Sequence, residues 1–252
     1  AGLGAVAESI HLPVFEHALI IGVAITIAAL FSVRALQSEH LVGHGQEIVA
    51  DDDHSKTWRG RLSIWKNPFT ILIGLIVLGA AFTEGSANDW LSLAMVDGHG
   101  TDHATGALVL GIFVTAMTVG RLVGVMLLDR FGRVPVLRGS ALLAAVGLLI
   151  FIFVPDPIIA VAGAVLWGLG AALGFPVGMS AAADDPKTAA ARVSAVATVG
   201  YFAFLVGPPV IGLLAKGFGI LHALLVVLVL AAVSGLVSFA AREPEKQPAR
   251  RP

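Results

Sequence analysis

The chain has 252 residues, 57% of them hydrophobic and 13% charged, with a net charge of −1. Soluble domains carry about 25% charged residues, so this composition excludes a water-soluble globule, and the near-zero charge gives nucleic acid no basic field to meet. There is no cysteine, which excludes disulfide scaffolds, thiolate metal sites and cysteine nucleophiles.

A membrane-crossing helix needs about 20 mostly apolar residues. Seven such spans are predicted, near 14–36, 67–91, 104–128, 136–155, 157–182, 191–215 and 219–241. Asn67-Pro68 reads as a cap followed by a first-turn proline opening the second span. Pro155 and Pro157 bracket a tight hairpin between the fourth and fifth. None of these segments has the broad charged face of a helix in a soluble bundle. The predicted class is an all-α membrane protein.

Orientation follows from lysine and arginine placement. With the 37–66 loop on the cytoplasmic side, all of the 16 lysines and arginines except Lys216 fall on that side or in the inner half of a span. The N-terminus is then outside and the C-terminus is inside. The 37–66 loop holds Glu39, Glu47, Asp51-Asp52-Asp53 and the histidines His40, His44 and His54. Adjacent carboxylates in a polar loop rarely share one coordination geometry, so a solvated linker is expected there and no metal site. The 243–252 tail reads as a charged end leaving the membrane.

The most specific string is Gly120-Arg121-Leu122-Val123-Gly124-Val125-Met126-Leu127-Leu128-Asp129-Arg130-Phe131-Gly132-Arg133. It resembles the G-x-x-x-D-R-x-G-R loop motif of the major facilitator superfamily, which joins the second and third helices of each six-helix half. One departure is visible: the motif's leading glycine falls on Val125, with Gly124 one place early. The resemblance implies the last seven of twelve helices. Residues 1–36 would then end the N-terminal half with one span, 37–66 form the central loop, and 67–242 make the C-terminal six-helix half. The sequence starts at Ala1 and its first methionine is Met95, and an odd seven spans fits a piece of a longer protein. Missing N-terminal helices of the same transporter are therefore expected partners, beside the lipid bilayer, a small solute and protons. Thr83-Glu84-Gly85-Ser86-Ala87-Asn88-Asp89-Trp90 and Gly207-Pro208-Pro209 resemble the fucose-permease-like bacterial branch.

Glu84 lies roughly 25 Å along the second span at about 1.5 Å per residue. A carboxylate there is costly and usually faces a cavity or proton path, which makes Glu84 a candidate proton carrier. Asn88 follows one turn later on the same face, with Asp89 beside it. Gly85 between them weakens the helix and suits the interrupted first helix of a transporter repeat. Arg121 is the second expensive residue; a cavity-facing cation pairing with a carboxylate or with substrate oxygens competes with a packing arginine of the inner gate. Trp167 is a candidate stacking surface for a sugar ring. Thr198 and Tyr201, three apart, are placed toward the cavity. In the fifth span, Pro176 frees a backbone carbonyl and permits bending. Gly207-Pro208-Pro209 is expected to interrupt the sixth predicted span as a kink or gate. By resemblance, Gly124, Asp129, Arg130, Gly132 and Arg133 form a gate latch, its aspartate meeting the positive end of a helix in the opposite half.

The chain lacks G-x-x-x-x-G-K-[ST], H-E-x-x-H and G-x-S-x-G strings, so neither ATP-driven transport nor hydrolytic catalysis is expected, and no cofactor is implied. The expected function is part of a secondary transporter moving a sugar or other polar solute by alternating access with protons. Drug or metabolite efflux by proton exchange is the alternative. Outside that class stand a seven-helix receptor and a channel-like assembly module. Retinal attachment needs a lysine inside a span, and Lys216 sits at a span end.

Overall fold

The computed structural model describes residues 64–243 and, earlier, helical positions at 16, 19, 20, 22–24, 26 and 27. The chain divides into two compact units, Ala1–Asp51 and Asp52–Pro252. Most of the predicted first span, nearly all of the 37–66 linker and the tail after Glu243 lie outside the described residues.

Among the described residues every regular element is helical, and six stretches are long and apolar enough to cross a membrane. Helix α1 (Pro68–Leu93) opens where Asn67 Oδ1 accepts from the Phe69 N–H at 2.9 Å, with Pro68 at the first position, where its missing N–H costs nothing. It runs into a π-helical turn, Ala94–Gly98, and the pair make one span of 31 residues. The α1 helix is continuous through Gly85, which corrects the expected interruption there. Gly85 instead admits a neighbour: an added Cβ would stand 2.8 Å from the Phe204 ring.

Helix α2 (His103–Phe131) starts on an Asp102 cap, and α3 (Arg133–Phe153) follows through Gly132. The Gly132 φ of +76° lies in the left-handed region that side chains avoid, so the turn requires glycine. Asp156 caps α4 (Pro157–Ala171). After Ala172 and Leu173 the same span resumes as α5 (Gly174–Ala182). Helix α6 (Ala189–Phe218) is followed by the single turn α7 (Ile220–Ala223), then α8 (Leu225–Leu236) and a 3-10 turn, Val237–Ala241. Pro208 and Pro209 lie inside α6, which continues nine residues beyond Pro209 to Phe218. The expected interruption at Gly207-Pro208-Pro209 is therefore corrected: the prolines remove two N–H donors without ending the helix.

Burial separates central from peripheral spans. In the most apolar stretch of each, 67% is buried for Pro68–Gly98 and 56% for Pro157–Ala182, against 28% to 39% for the other four. The peripheral helices leave Leu108, Leu122, Leu205, Leu213 and Leu236 exposed, an arrangement suited to lipid or to further helices. The tightest pairing is α3 against α4. A Cβ on Gly147 would collide with the Trp167 backbone, and one on Gly170 with the Ala144 backbone. Small residues thus let the two backbones touch, the usual means of helix association in lipid.

Candidate functional site

Two basic features organise the described bundle, one midway along it and one at an end. Midway, Arg121 of α2 reaches α1: its Nη2 lies 3.0 Å from both Glu84 Oε1 and Glu84 Oε2. Its Nε donates a longer bond, 3.4 Å, to the Ala172 carbonyl between α4 and α5. Met117 Sδ, one turn back on α2, is 3.7 Å from the same Nη2. The Glu84 side chain is 17% exposed and that of Arg121 46%, so the pair stands at the margin of an open face rather than in a closed core. Asn88 and Asp89 follow toward the C-terminal end of α1, and both are exposed. Arg121 thus meets both a carboxylate of α1 and a backbone carbonyl at the α4–α5 joint.

At the end where α2 meets α3, the charged turn splits into two behaviours. Arg133 points inward: its Nη1 lies 2.6 Å from Asp184 Oδ2, and its Nη2 donates to Ser180 Oγ at 3.0 Å. Its Nε also lies 4.0 Å from a carboxylate oxygen of Glu243. Asp129 and Arg130 are exposed, and Asp129 has no hydrogen bond or ion pair among the described residues. The Arg130 guanidinium lies 5.4 Å from the Phe131 ring centre. Gly124 is buried, and a Cβ there would collide with Leu173. Val125 is 60% exposed. The close packing expected of the motif's leading glycine is thus found one residue early, at Gly124.

Trp167 is removed from the candidate solute path. It is fully buried, its rings meet Phe113 and Phe151 edge-on, and its Nε1 donates to the Thr83 carbonyl at 3.0 Å. Fully buried and with its polar atom engaged, it presents no open face on which a sugar could stack. Thr198 and Tyr201 are both exposed on α6, as placing them on one face requires. Thr198 Oγ1 is returned to its own helix, donating to the Ser194 carbonyl at 2.8 Å. It lines a hollow of about 400 Å³ with Trp65, Lys187 and Ser194. Pro208 and Pro209 line a second, open hollow of about 810 Å³ with Trp90 and Lys216, away from the Glu84–Arg121 pair.

The charged turn and the six spans coincide with a family model, Major Facilitator Superfamily, that matches residues 73–252. The chain belongs to the Major Facilitator Superfamily. Among curated members, an uncharacterized MFS-type transporter of Yersinia pestis is 30% identical over 158 residues, covering 62% of this chain and 41% of that protein. An uncharacterized transporter of Sinorhizobium fredii is 36% identical over 151 residues, covering 60% of this chain and 40% of the relative. The membrane protein MosC of Rhizobium meliloti is 28% identical over 191 residues, 75% of this chain and 47% of its own. The chain thus spans less than half the length of each of these relatives. In fold it is similar to the Escherichia coli fucose:proton symporter FucP, with a TM-score of 0.75 at 16% identity, covering 93% of this chain and 58% of the symporter. A FucP structure in the outward conformation gives 0.74.

Within this superfamily member, sequence reasoning missed the partners of Arg133. Asp184 and Ser180 stand about fifty residues away, and only the shared end of their helices could have suggested them. The Ala172 carbonyl was half visible, because Pro176 four residues later cannot donate to it.

Proposed function

We propose that this chain is the C-terminal part of a secondary active transporter in a bacterial cytoplasmic membrane. It moves a small polar organic solute, a sugar or related compound, by alternating access coupled to protons. The observation that carries this reading is the Glu84–Arg121 pair: one guanidinium nitrogen holds both carboxylate oxygens at 3.0 Å on an open face of the bundle. A carboxylate paired in this way can accept a proton and release the arginine, and a released guanidinium can take up solute oxygens. Asn88, Asp89 and Tyr201 extend a polar lining along the exposed surfaces of α1 and α6. The fold likeness to a fucose:proton symporter supports a proton-coupled sugar as the first solute class to test. Asp129, exposed at the charged turn, is the latch toward the other half of the transporter.

The test uses the intact protein in proteoliposomes with a panel of sugars and organic acids. Glu84→Gln mimics a permanently protonated carboxyl. It is expected to abolish proton-driven accumulation while leaving solute counterflow within about threefold of wild type, because exchange needs no net proton movement. Unchanged proton-driven accumulation would remove Glu84 from the coupling step.

A further inference from the structure

Span Pro157–Ala182 is helical to Ala171 and again from Gly174. The cause of the joint lies four residues on: Pro176 has no N–H, so the helical bond it would give to the Ala172 carbonyl cannot form. A carbonyl inside the membrane needs another donor. The donor on this one is Arg121 Nε at 3.4 Å. Gly120 and Gly124, flanking Arg121 on α2, let the joint come near. A Cβ on Gly120 would stand 2.8 Å from the Ala172 Cβ, and one on Gly124 would strike Leu173. One planar guanidinium is thus shared between a carboxylate and a backbone joint, and its rigid fork ties the two contacts together.

We propose that Pro176 is a positioning residue that aims Arg121 at Glu84 through the Ala172 carbonyl, and that the same contact carries the protonation state of Glu84 to the joint. With Glu84 ionised, the guanidinium is held through both Nη2 and Nε, and the joint is capped. With Glu84 neutral, the Nη2 contact weakens and the Ala172 carbonyl loses its donor part of the time. Arg121 is the charged side chain recorded against Glu84. Helices α4, α5 and α8 carry no titratable side chain, Asp89 and Tyr201 are exposed, and the remaining ionisable groups of α2 and α6 lie near helix ends. The inference rests on the reading of Glu84–Arg121 as the coupling pair.

The test is amide hydrogen exchange of the 170–180 segment at one pH, on the intact protein in lipid nanodiscs. Glu84→Gln is expected to speed exchange there by about three- to tenfold, the size of a weakened bond to a charged group. Pro176→Ala restores an N–H for the Ala172 carbonyl. It is expected to slow exchange and to make Glu84→Gln silent in the double variant. Arg121→Lys keeps the charge but cannot span both contacts, and should match Glu84→Gln. Unchanged exchange in Glu84→Gln or Arg121→Lys, or a Glu84→Gln effect that persists beside Pro176→Ala, would overturn the proposal. Proton-driven uptake by the same variants in proteoliposomes separates the two readings. Faster exchange with uptake intact supports the shared contact and removes Glu84 as proton carrier; lost coupling with unchanged exchange does the reverse.

Discussion

Trp167 shows how one side chain can be read two ways until its surroundings are known. In the sequence it is an aromatic in a glycine-rich span, which suits either a sugar platform or a ring facing lipid or a neighbouring helix. The structure gives it Phe113, Phe151 and the Thr83 carbonyl, and the choice is made. Trp167→Phe is expected to cost about 1 kcal/mol, seen as a lower melting temperature, with solute affinity unchanged. A loss of affinity at an unchanged melting temperature would return the residue to the solute path. Glu84 and Arg121 were legible because charge inside an apolar run is expensive wherever it occurs. That they meet each other was not, since 37 residues separate them and helix rotation decides which faces coincide.

The charged turn between α2 and α3 combines two jobs that point mutations should separate. Arg133 is engaged within this bundle and is only 17% exposed, whereas Asp129 faces away from it. Arg133→Gln leaves Asp184 without its cation and is expected to destabilise the protein by about 1–2 kcal/mol. Asp129→Asn is expected to leave melting unchanged while slowing transport by the intact protein. Normal transport in Asp129→Asn would exclude the latch role. At this scale the sequence was informative about caps and prolines, because Asn67, Asp102 and Asp156 act on their immediate neighbours. It misled about breaks. Gly85, Pro208 and Pro209 sit within continuous helices, since packing on neighbours outweighs their weak local propensity. The span that does break does so at Ala172 and Leu173, one turn before the proline that frees the carbonyl.

Across the described residues, the helix ends carrying Lys66, Arg130, Arg133, Lys187 and Arg242 lie at one end of the bundle, joined by the Arg133–Asp184 and Arg138–Ser238 contacts and by the hollow that Trp65 and Lys187 share. Placing that end in the cytoplasm gives a labelling prediction, simplified because this chain has no cysteine of its own. Thr101→Cys should react with an impermeant maleimide in intact cells, and Lys187→Cys only after permeabilisation. The opposite pattern would invert the topology. Seven spans can be counted in the sequence from apolar length alone, and six of them fall among the described residues. Which two are central cannot be read there, because all six are similarly hydrophobic and burial depends on neighbours.

The two pieces of span Pro157–Ala182 answer to different neighbours. Helix α4 is locked backbone to backbone against α3 and packs on α2, while α5 packs chiefly on α1 and α6. The span is therefore a shared axle with its bearing at Ala172 and Leu173. A change of bend there would carry α5 and its α1 and α6 neighbours relative to α3 and α4, and the contacts that cross between the two sides, the Glu84–Arg121 pair among them, would have to take up the movement.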